Sequence, residues 1–162
     1  MPEGERSSVV SNAQVLLTAA EQLTIPVIVT EQYPKGLGPT APELMGLLQK
    51  QQATIIEKTS FSCLQSEPFS QQLKKTERKQ IVLLGMESHI CILQSALALK
   101  AEGYTVHVIE DAICSRKDHH TQNSLQRMRQ AGVIINNVES ALFEWLGDAK
   151  HPSFRVLSKL IV

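Results

Sequence analysis

The chain of 162 residues has the length of one domain, carries no formal net charge, and is 43% hydrophobic and 20% charged. The balanced charge argues against nucleic acid or an anionic membrane as the main partner, and no apolar run approaches the about 18 residues that cross a bilayer. The polar start differs from a secretory signal, and three cysteines without close pairing are typical of reduced thiols. We therefore expect a single cytoplasmic domain over residues 1–162.

The first half of the chain predicts helices that alternate with short strands. An apolar stripe predicts a first helix that is capped by Ser7 or Ser8 and ends before Thr24. Branched apolar residues then predict strands at 27–30 and 53–56. The segments around these strands are predicted to be a loop at 31–39, a helix at about 42–50, a polar loop at 57–62 and a helix at 68–75.

The stretch at 80–99 is the most informative part of the sequence. Four apolar residues at 81–84 predict a strand covered on both faces, and Gly85 ends it. A helical stripe of apolar residues begins at Ile90, so Cys91 lies in the first turn of a helix. Unpaired backbone N–H groups and the helix dipole favour a thiolate there. The alternative is that this cysteine is a small hydrophobic side chain in the core.

The second half of the chain continues the alternation. Ser115 and Asp118 have the spacing of a capping box for a helix that ends at Gly132. The other predicted elements are a strand at 105–109 that ends at Glu110-Asp111, a short strand at 133–135, a helix at 139–146, and a tail with one or two helical turns.

This order of elements predicts an α/β fold in three layers, with a Rossmann-like parallel sheet between helices. Ligands bind such sheets at the carboxyl ends of the strands. Glu31, Lys58 and Cys91 follow three different strands, so we expect them at one edge of the sheet. The alternative for Lys58 is a solvated loop lysine.

A thiolate and an ammonium group at one edge suit acyl chemistry. A thiolate attacks a carbonyl carbon and forms a thioester, and a nearby lysine stabilises the negative charge. The turn at 85–91 would direct backbone N–H groups at an oxyanion. A general base beside the thiol is missing, and the nearest candidates by sequence are Glu31, Glu87 and Asp111.

These residues resemble the isochorismatase-like cysteine hydrolase superfamily. The resemblance rests on Gly85-Met86-Glu87-Ser88-His89-Ile90-Cys91, with Lys58-Thr59-Ser60-Phe61-Ser62 upstream and the loop at 30–40. Segments at 111–116, 127–130 and 147–152 are also similar, so the resemblance covers about residues 7 to 160.

The resemblance implies hydrolysis of small amides or related C–N or C–O bonds. It assigns Cys91 as the nucleophile and Lys58 as the catalytic lysine. It also implies a cis peptide at Met86–Glu87, and an oxyanion hole formed by the backbone N–H groups of Glu87 and Cys91.

A substrate pocket is expected at Glu31, Tyr33 and Phe61, with a small molecule as ligand. We expect no metal, because the segment at 31–34 lacks the Asp/His cluster of zinc-dependent relatives, and we expect no cofactor. The adjacent His119 and His120 are expected to face solvent in different directions.

One departure from the superfamily is informative. Its members begin with a central strand that ends in Asp-x-Gln, and that Asp is the general base. Here residues before Ser7 predict no strand and no Asp precedes Asp111, so the domain is expected to be N-terminally shortened, with a slot between the strands at 27–30 and 81–84. Such a chain is expected to be a marginal monomer that closes the slot, takes a strand from a partner chain, or is poorly soluble. A homo-oligomer is also expected.

Three hypotheses follow from the sequence. The first is a cysteine hydrolase whose activity is weakened by the missing Asp. The second is a binding or regulatory relative that uses the same pocket without chemistry. The third is an unrelated open-sheet domain such as a flavodoxin-like binder, which the absence of a glycine-rich phosphate loop disfavours.

Overall fold

The structure is a computed structural model that describes residues 3–161. Its strands are β1 Ile28–Gln32, β2 Thr54–Lys58, β3 Gln80–Met86, β4 Thr105–Cys114 and β5 Ile134–Asn136. Its helices are α1 Glu3–Gln22, α2 Pro34–Leu37, α3 Pro42–Lys50, α4 Glu67–Lys75, α5 Leu93–Ala101, α6 Asp118–Gln130, α7 Val138–Leu146 and α8 Phe154–Leu157. Two 3₁₀ turns, Cys63–Gln65 and Ser158–Leu160, and a π turn, Ser88–Ile92, complete the order.

All strand pairs are parallel, which confirms the predicted α/β class. β1 pairs with β2, and β3, β4 and β5 follow one another in that order. The described strands therefore form two separate sheets, of two and three strands. The division falls between β1 and β3, where the sequence predicts a missing strand.

Strand β4 is the centre of the larger sheet. Its apolar side chains Val106, Val108 and Ile109 are almost completely buried, because helices cover both of its faces. α5 and α6 pack on one face, where the largest apolar cluster lies. α1 and α7 pack on the other face. This arrangement gives the predicted three layers.

An irregularity in the pairing of β3 with β4 shapes the site. Leu83 pairs with Val108, but Gly85 pairs with Ile113, so β4 contains three more residues than β3 between these pairs. Gly85 has φ 114°, a conformation that L side chains rarely adopt. β4 consequently continues to Cys114, and the prediction of a strand at 105–109 that ends at Glu110-Asp111 is wrong.

Two predicted helix caps are also wrong. α1 is already helical at Glu3, and the Ser8 hydroxyl donates to the Gly4 carbonyl within the helix, so neither Ser7 nor Ser8 is the cap. α6 begins at Asp118 after Lys117, and its first turn has no side-chain cap. Ser115 instead bonds to the turn that follows β3.

The division of the sheets predicts uneven protection from hydrogen exchange. We expect slow exchange for the amides of β4 and for those β3 amides that donate to β4. Amides on the unpaired edges of β1 and β3 should exchange faster, because no strand of the described chain accepts from them. Exchange of a dilute sample followed by mass spectrometry or NMR measures this. Equal slow exchange at both edges would contradict the division.

Candidate active site

Cys91 lies in the π turn between β3 and α5. The sequence predicts it in the first turn of the following α-helix, but that helix begins only at Leu93. The turn follows the Met86–Glu87 peptide, which is cis, as the resemblance implies. The carbonyl of Glu87 accepts hydrogen bonds from the N–H groups of Ile90 and Ile92, which closes the turn around the cysteine. Cys91 is half-buried, whereas the other two cysteines are buried.

The ammonium group of Lys58 lies beside this thiol. Lys58 Nζ is 3.9 Å from Cys91 Sγ, and the lysine side chain is only 7% exposed. Lys58 Nζ also donates to Gln32 Oε1 at 2.5 Å, to the Ser60 carbonyl at 2.8 Å and to the Phe61 carbonyl at 3.1 Å. Lys58 is therefore a buried, fixed cation and not a solvated loop lysine.

Gln32 is a site residue that sequence reasoning missed. Its Oε1 accepts from Lys58 and lies 3.9 Å from Cys91 Sγ, while its Nε2 donates to the Thr59 carbonyl at 2.6 Å. Gln32 is the last residue of β1, as Lys58 is the last residue of β2. The sequence feature that could have identified Gln32 as a site residue is its position at the carboxyl end of a strand.

Two contacts from the segment after β4 hold the cysteine turn. Ser115 is fully buried, and its hydroxyl lies 2.8 Å from His89 Nδ1 and 3.3 Å from the His89 backbone N. Arg116 forms an ion pair with Glu87, with Nη2 2.6 Å from Oε1. The Glu87 carboxylate also accepts from the Arg116 backbone N–H at 2.9 Å. These contacts fix the start of the turn from one neighbouring segment.

Three histidine rings, His89 of the turn and His119 and His120 of α6, lie against one another. The His89 and His120 rings are stacked with centroids 4.5 Å apart, and the His119 and His120 rings are tilted at 4.2 Å. Their neighbours Arg116 and Lys117 are cationic, so partial desolvation and this positive surrounding lower the pKa of His120. The prediction that both histidines face solvent separately is wrong for His120, which packs on His89.

The three carboxylates considered as bases are engaged elsewhere. Glu31 Oε1 accepts from the Thr40 N–H at 2.7 Å and from its hydroxyl at 2.6 Å, so it fastens the loop after β1. Glu87 is held by Arg116. Asp111 Oδ1 accepts from the Val138 N–H at 3.0 Å, at the start of α7. The hydrogen bonds described for these three carboxylates do not include Cys91.

A cleft of about 450 Å³ opens next to Lys58. Of the residues expected in the substrate pocket, Tyr33 lines it, whereas Glu31 and Phe61 are not part of its lining. The Tyr33 and Phe61 side chains are about half exposed, at 54% and 51%. The Tyr33 ring lies directly against Gly36, where a Cβ would meet its Cε1 and Cδ1. The cleft is also lined by Pro34, Lys35, Glu57, Thr59, Ser60, Gln65 and Ser66.

The other two thiols are buried in the core. Burial raises the pKa of Cys63, and burial together with nearby carboxylates raises the pKa of Cys114 to about 11. Both effects favour the neutral thiol. In the described part of the chain, no group of three or more His, Cys, Asp or Glu side chains is arranged to hold a metal ion. Within residues 3–161, none of the helices has the length and apolar character needed to cross a membrane.

The Isochorismatase domain model matches residues 2–140. The chain belongs to the isochorismatase family. Isochorismatase domain-containing protein 2 of Xenopus laevis is 45% identical over 95% of this chain and 73% of that protein. The protein of the same description from Danio rerio is 42% identical over 96% and 77%. A secreted isochorismatase effector, Isc1 of Phytophthora sojae, is 37% identical over 95% and 74%.

Solved structures of isochorismatase-like proteins share the fold. The MAR1 ribonuclease structure from Caenorhabditis elegans has a TM-score of 0.86 and 37% identity, with 96% of this chain and 79% of that chain covered. The YcaC structure from Escherichia coli, described as an octameric hydrolase of unknown specificity, has a TM-score of 0.84. Its identity is 24%, with 94% and 81% covered, so this likeness concerns the fold alone.

The three thiols of this isochorismatase-family chain differ enough to be ranked by reactivity. We expect Cys91 to be alkylated first, because it is less buried than the other two thiols and lies beside Lys58, while burial disfavours the thiolates of Cys63 and Cys114. Limited iodoacetamide labelling at about pH 6.5 with peptide mass mapping measures the order. The Cys91→Ser variant is the control. Earlier labelling of either buried thiol would count against the ranking.

The ion pair between Glu87 and Arg116 predicts a pH-dependent contribution to stability. Hydrogen bonds from Arg116 lower the pKa of Glu87 from its usual 4.5 to about 2. Because the pKa of Glu87 is lower in the folded than in the unfolded state, ionised Glu87 stabilises the fold at pH values above about 4.5. This contribution to the free energy of unfolding is lost as the pH falls from about 4.5 through about 2. We expect Arg116→Ala to lower the melting temperature at pH 7 and to lower it progressively less as the pH falls across that window.

Arg129 provides the matched control, because it forms an exposed ion pair with Glu110 away from the cysteine turn. Thermal unfolding by circular dichroism of wild type, Arg116→Ala and Arg129→Ala at several pH values makes the comparison. A melting-temperature loss for Arg116→Ala that stays constant down to the lowest pH would contradict the assignment to Glu87 ionisation.

Proposed function

We propose that the protein is a cysteine hydrolase of small amides or related C–N or C–O bonds, with Cys91 as nucleophile. The observation that carries the proposal is the 3.9 Å approach of the buried Lys58 ammonium group to the Cys91 thiol. A fixed cation beside a thiol favours the thiolate and stabilises the charge that develops during acyl transfer. Family membership supports the same class of chemistry.

The proposed reaction has two stages. The Cys91 thiolate attacks the carbonyl carbon, and the backbone N–H groups of Glu87 and Cys91 bind the oxyanion. The C–N or C–O bond breaks, the leaving group takes a proton from water, and a thioester remains on Cys91. The hydroxide left by that proton transfer then hydrolyses the thioester, which releases the acid and restores the thiolate.

Lys58 and Gln32 act together in this scheme. Gln32 Oε1 accepts from Lys58 and so restrains the ammonium group beside Cys91. Their side chains come from two adjacent strands that are paired in register, Gln32 opposite Lys58. The cleft beside Lys58, with Tyr33 on its wall, is the proposed approach for the substrate, and its lining includes Lys58 but not Cys91.

The partner is proposed to be a small molecule. The cleft of about 450 Å³ suits a compact ligand, and the chain has no net charge. The Caenorhabditis elegans relative is described as a ribonuclease, so RNA is included as a test substrate. Assembly into a homo-oligomer and location in the cytoplasm are further proposals, the first supported by the octameric description of YcaC.

A second candidate is a binding or regulatory protein that uses the same cleft without turnover. It is favoured by one observation: Glu31, Glu87 and Asp111 are all hydrogen-bonded to other groups, so none is positioned as a base for Cys91. General acid–base catalysis typically contributes about 10²–10⁴-fold. A hydrolase without general acid–base catalysis would therefore be slower by about this factor.

We therefore expect hydrolysis of small amides and esters to be slow, and to be abolished by Cys91→Ser. Glu31→Gln should leave the rate unchanged, because Thr40 holds that carboxylate. Release of ammonia or acid from a panel of small amides and esters, with RNA cleavage measured in parallel, gives the readout. Cys114→Ser is the matched control.

Three outcomes would contradict this assignment. A rate within the usual enzyme range of about 1–10³ s⁻¹ would show that a base operates in this chain. A rate unaffected by Cys91→Ser would show that Cys91 is not the nucleophile. RNA cleavage that depends on Cys91, with no small-molecule turnover, would show that the substrate is RNA and not a small amide or ester.

A further inference from the structure

A second cleft, of about 360 Å³, is formed by the start of α1, the end of β4 and the start of α6. It shares no lining residue with the cleft beside Lys58. Two of its walls are tied together, because Asn12 Nδ2 of α1 donates to the Asp111 carbonyl of β4 at 2.5 Å. We call it the acidic cleft, after the four carboxylates in its lining, Glu5, Glu110, Asp111 and Asp118.

The negative charge of the acidic cleft is largely uncompensated. Among residues 3–161, its lining contains no lysine, arginine or histidine. Glu110 is paired with Arg129, but the other three carboxylates form no ion pair with a residue that the structure describes. The hydrogen bonds that Asp111 and Asp118 accept come from neutral N–H groups. The rim of the cleft therefore favours a cation.

The floor of the cleft differs in character from its rim. Val9, Ile113 and Leu125 line the cleft and are buried. Cys114 lies beside them as a neutral thiol, because burial and then the charge of Glu5 raise its pKa to about 11. A cation that carries an apolar stem complements this combination of an acidic rim and an apolar floor.

Thr121 provides an independent indication of a ligand. Asp118, Thr121, Gln122 and Leu125 have the spacing of one helix face, and all four line the cleft, so α6 directs the Thr121 side chain into it. Thr121 is only 8% exposed, and its hydroxyl has no hydrogen-bond partner among the described residues. A buried hydroxyl without a partner destabilises the fold. A ligand that donates to this oxygen would satisfy it.

An organic cation suits the acidic cleft better than a metal ion. In the part of the chain that the structure describes, no three acidic, thiol or imidazole side chains are arranged to hold a metal. An ammonium group is less demanding, because it donates up to three hydrogen bonds to separate acceptors. Its methylene chain can also cover an apolar floor. Carboxylates from three elements, α1, β4 and α6, favour a ligand with more than one ammonium group.

We propose that the acidic cleft binds a small aliphatic polyamine. One ammonium group donates to Thr121 Oγ1, the others lie beside the carboxylates of the rim, and the methylene chain lies on the apolar floor. The charges of the ligand offset the repulsion among the carboxylates. This site is separate from Cys91 and Lys58, and the proposal holds whether or not the protein hydrolyses a substrate.

Spermidine is the probe, and the full chain is titrated with it by isothermal titration calorimetry at constant ionic strength. We expect saturable binding that weakens as salt is added, because the contacts are ionic. Triethylene glycol, an uncharged chain of similar length, should not bind. Magnesium chloride at the same ionic strength should not displace spermidine, since the cleft is not arranged to hold a metal ion.

Thr121→Val is the decisive variant, because it keeps the shape of the side chain and removes the hydroxyl. Spermidine should bind about tenfold more weakly, since a hydrogen bond to a charged group is lost. The melting temperature without ligand should stay the same or rise, because the lost hydroxyl had no partner. Thr18→Val is the matched control. The Thr18 hydroxyl donates to the Gln14 carbonyl, so this variant should melt earlier and bind spermidine as wild type does.

A pair of glutamate variants tests the position of the ligand. Glu5→Gln should weaken spermidine binding by about two- to fivefold, the usual contribution of one exposed charge pair. Glu57→Gln removes a carboxylate from the lining of the cleft beside Lys58, and it should leave the affinity unchanged. Circular dichroism confirms that each variant is folded before its affinity is interpreted.

Five results would overturn the proposal. The first three are the absence of saturable spermidine binding, displacement of spermidine by magnesium, and equal affinity of wild type and Thr121→Val. The fourth is a lower melting temperature of Thr121→Val without ligand, which would show that the hydroxyl has a structural role. The fifth is weaker binding to Glu57→Gln, which would place the amine in the other cleft.

Discussion

The hydrogen bonds from the segment after β4 to the turn after β3 are the contacts on which the rest of the site depends. Ser115 holds His89, and Arg116 holds Glu87, so the turn that carries Cys91 is tied to the most deeply buried strand. β4 has extra residues opposite the segment before Gly85, and they extend the strand beyond its regular pairing with β3. This extension brings Ser115 and Arg116 close enough to contact the turn. The position of the thiol is consequently set by the core of the larger sheet.

Lys58 comes to the same place from the smaller sheet. Its ammonium group is fixed by Gln32 and by two carbonyls of its own loop, so its position depends on the pairing of β1 with β2. The site is therefore assembled from two independent backbone frameworks. Its chemistry depends on how helices and apolar side chains, in place of a continuous ladder, keep those frameworks together.

Sequence patterns predicted the elements better than their ends. The apolar run before Gly85 and the stripe after Ile90 fixed a strand and a helix, and the carboxyl-end rule brought Lys58 to Cys91, because these depend on local periodicity and topology. The role of Ser115 was mistaken, since its spacing to Asp118 fits a cap equally well and only tertiary contact with His89 decides. The hydrogen bond from Thr40 to Glu31 likewise depends on the conformation of the loop between them, which the spacing of apolar residues cannot predict.

The division of the sheet also has a mechanical meaning. A continuous parallel sheet resists separation of its strands because each step breaks backbone hydrogen bonds, whereas β1 and β3 share no ladder. The boundary between them therefore acts as a line of low shear resistance through the domain. The distance between Lys58 and Cys91 is therefore maintained across this line by α4 and the apolar side chains packed between the two sheets, and not by backbone hydrogen bonds.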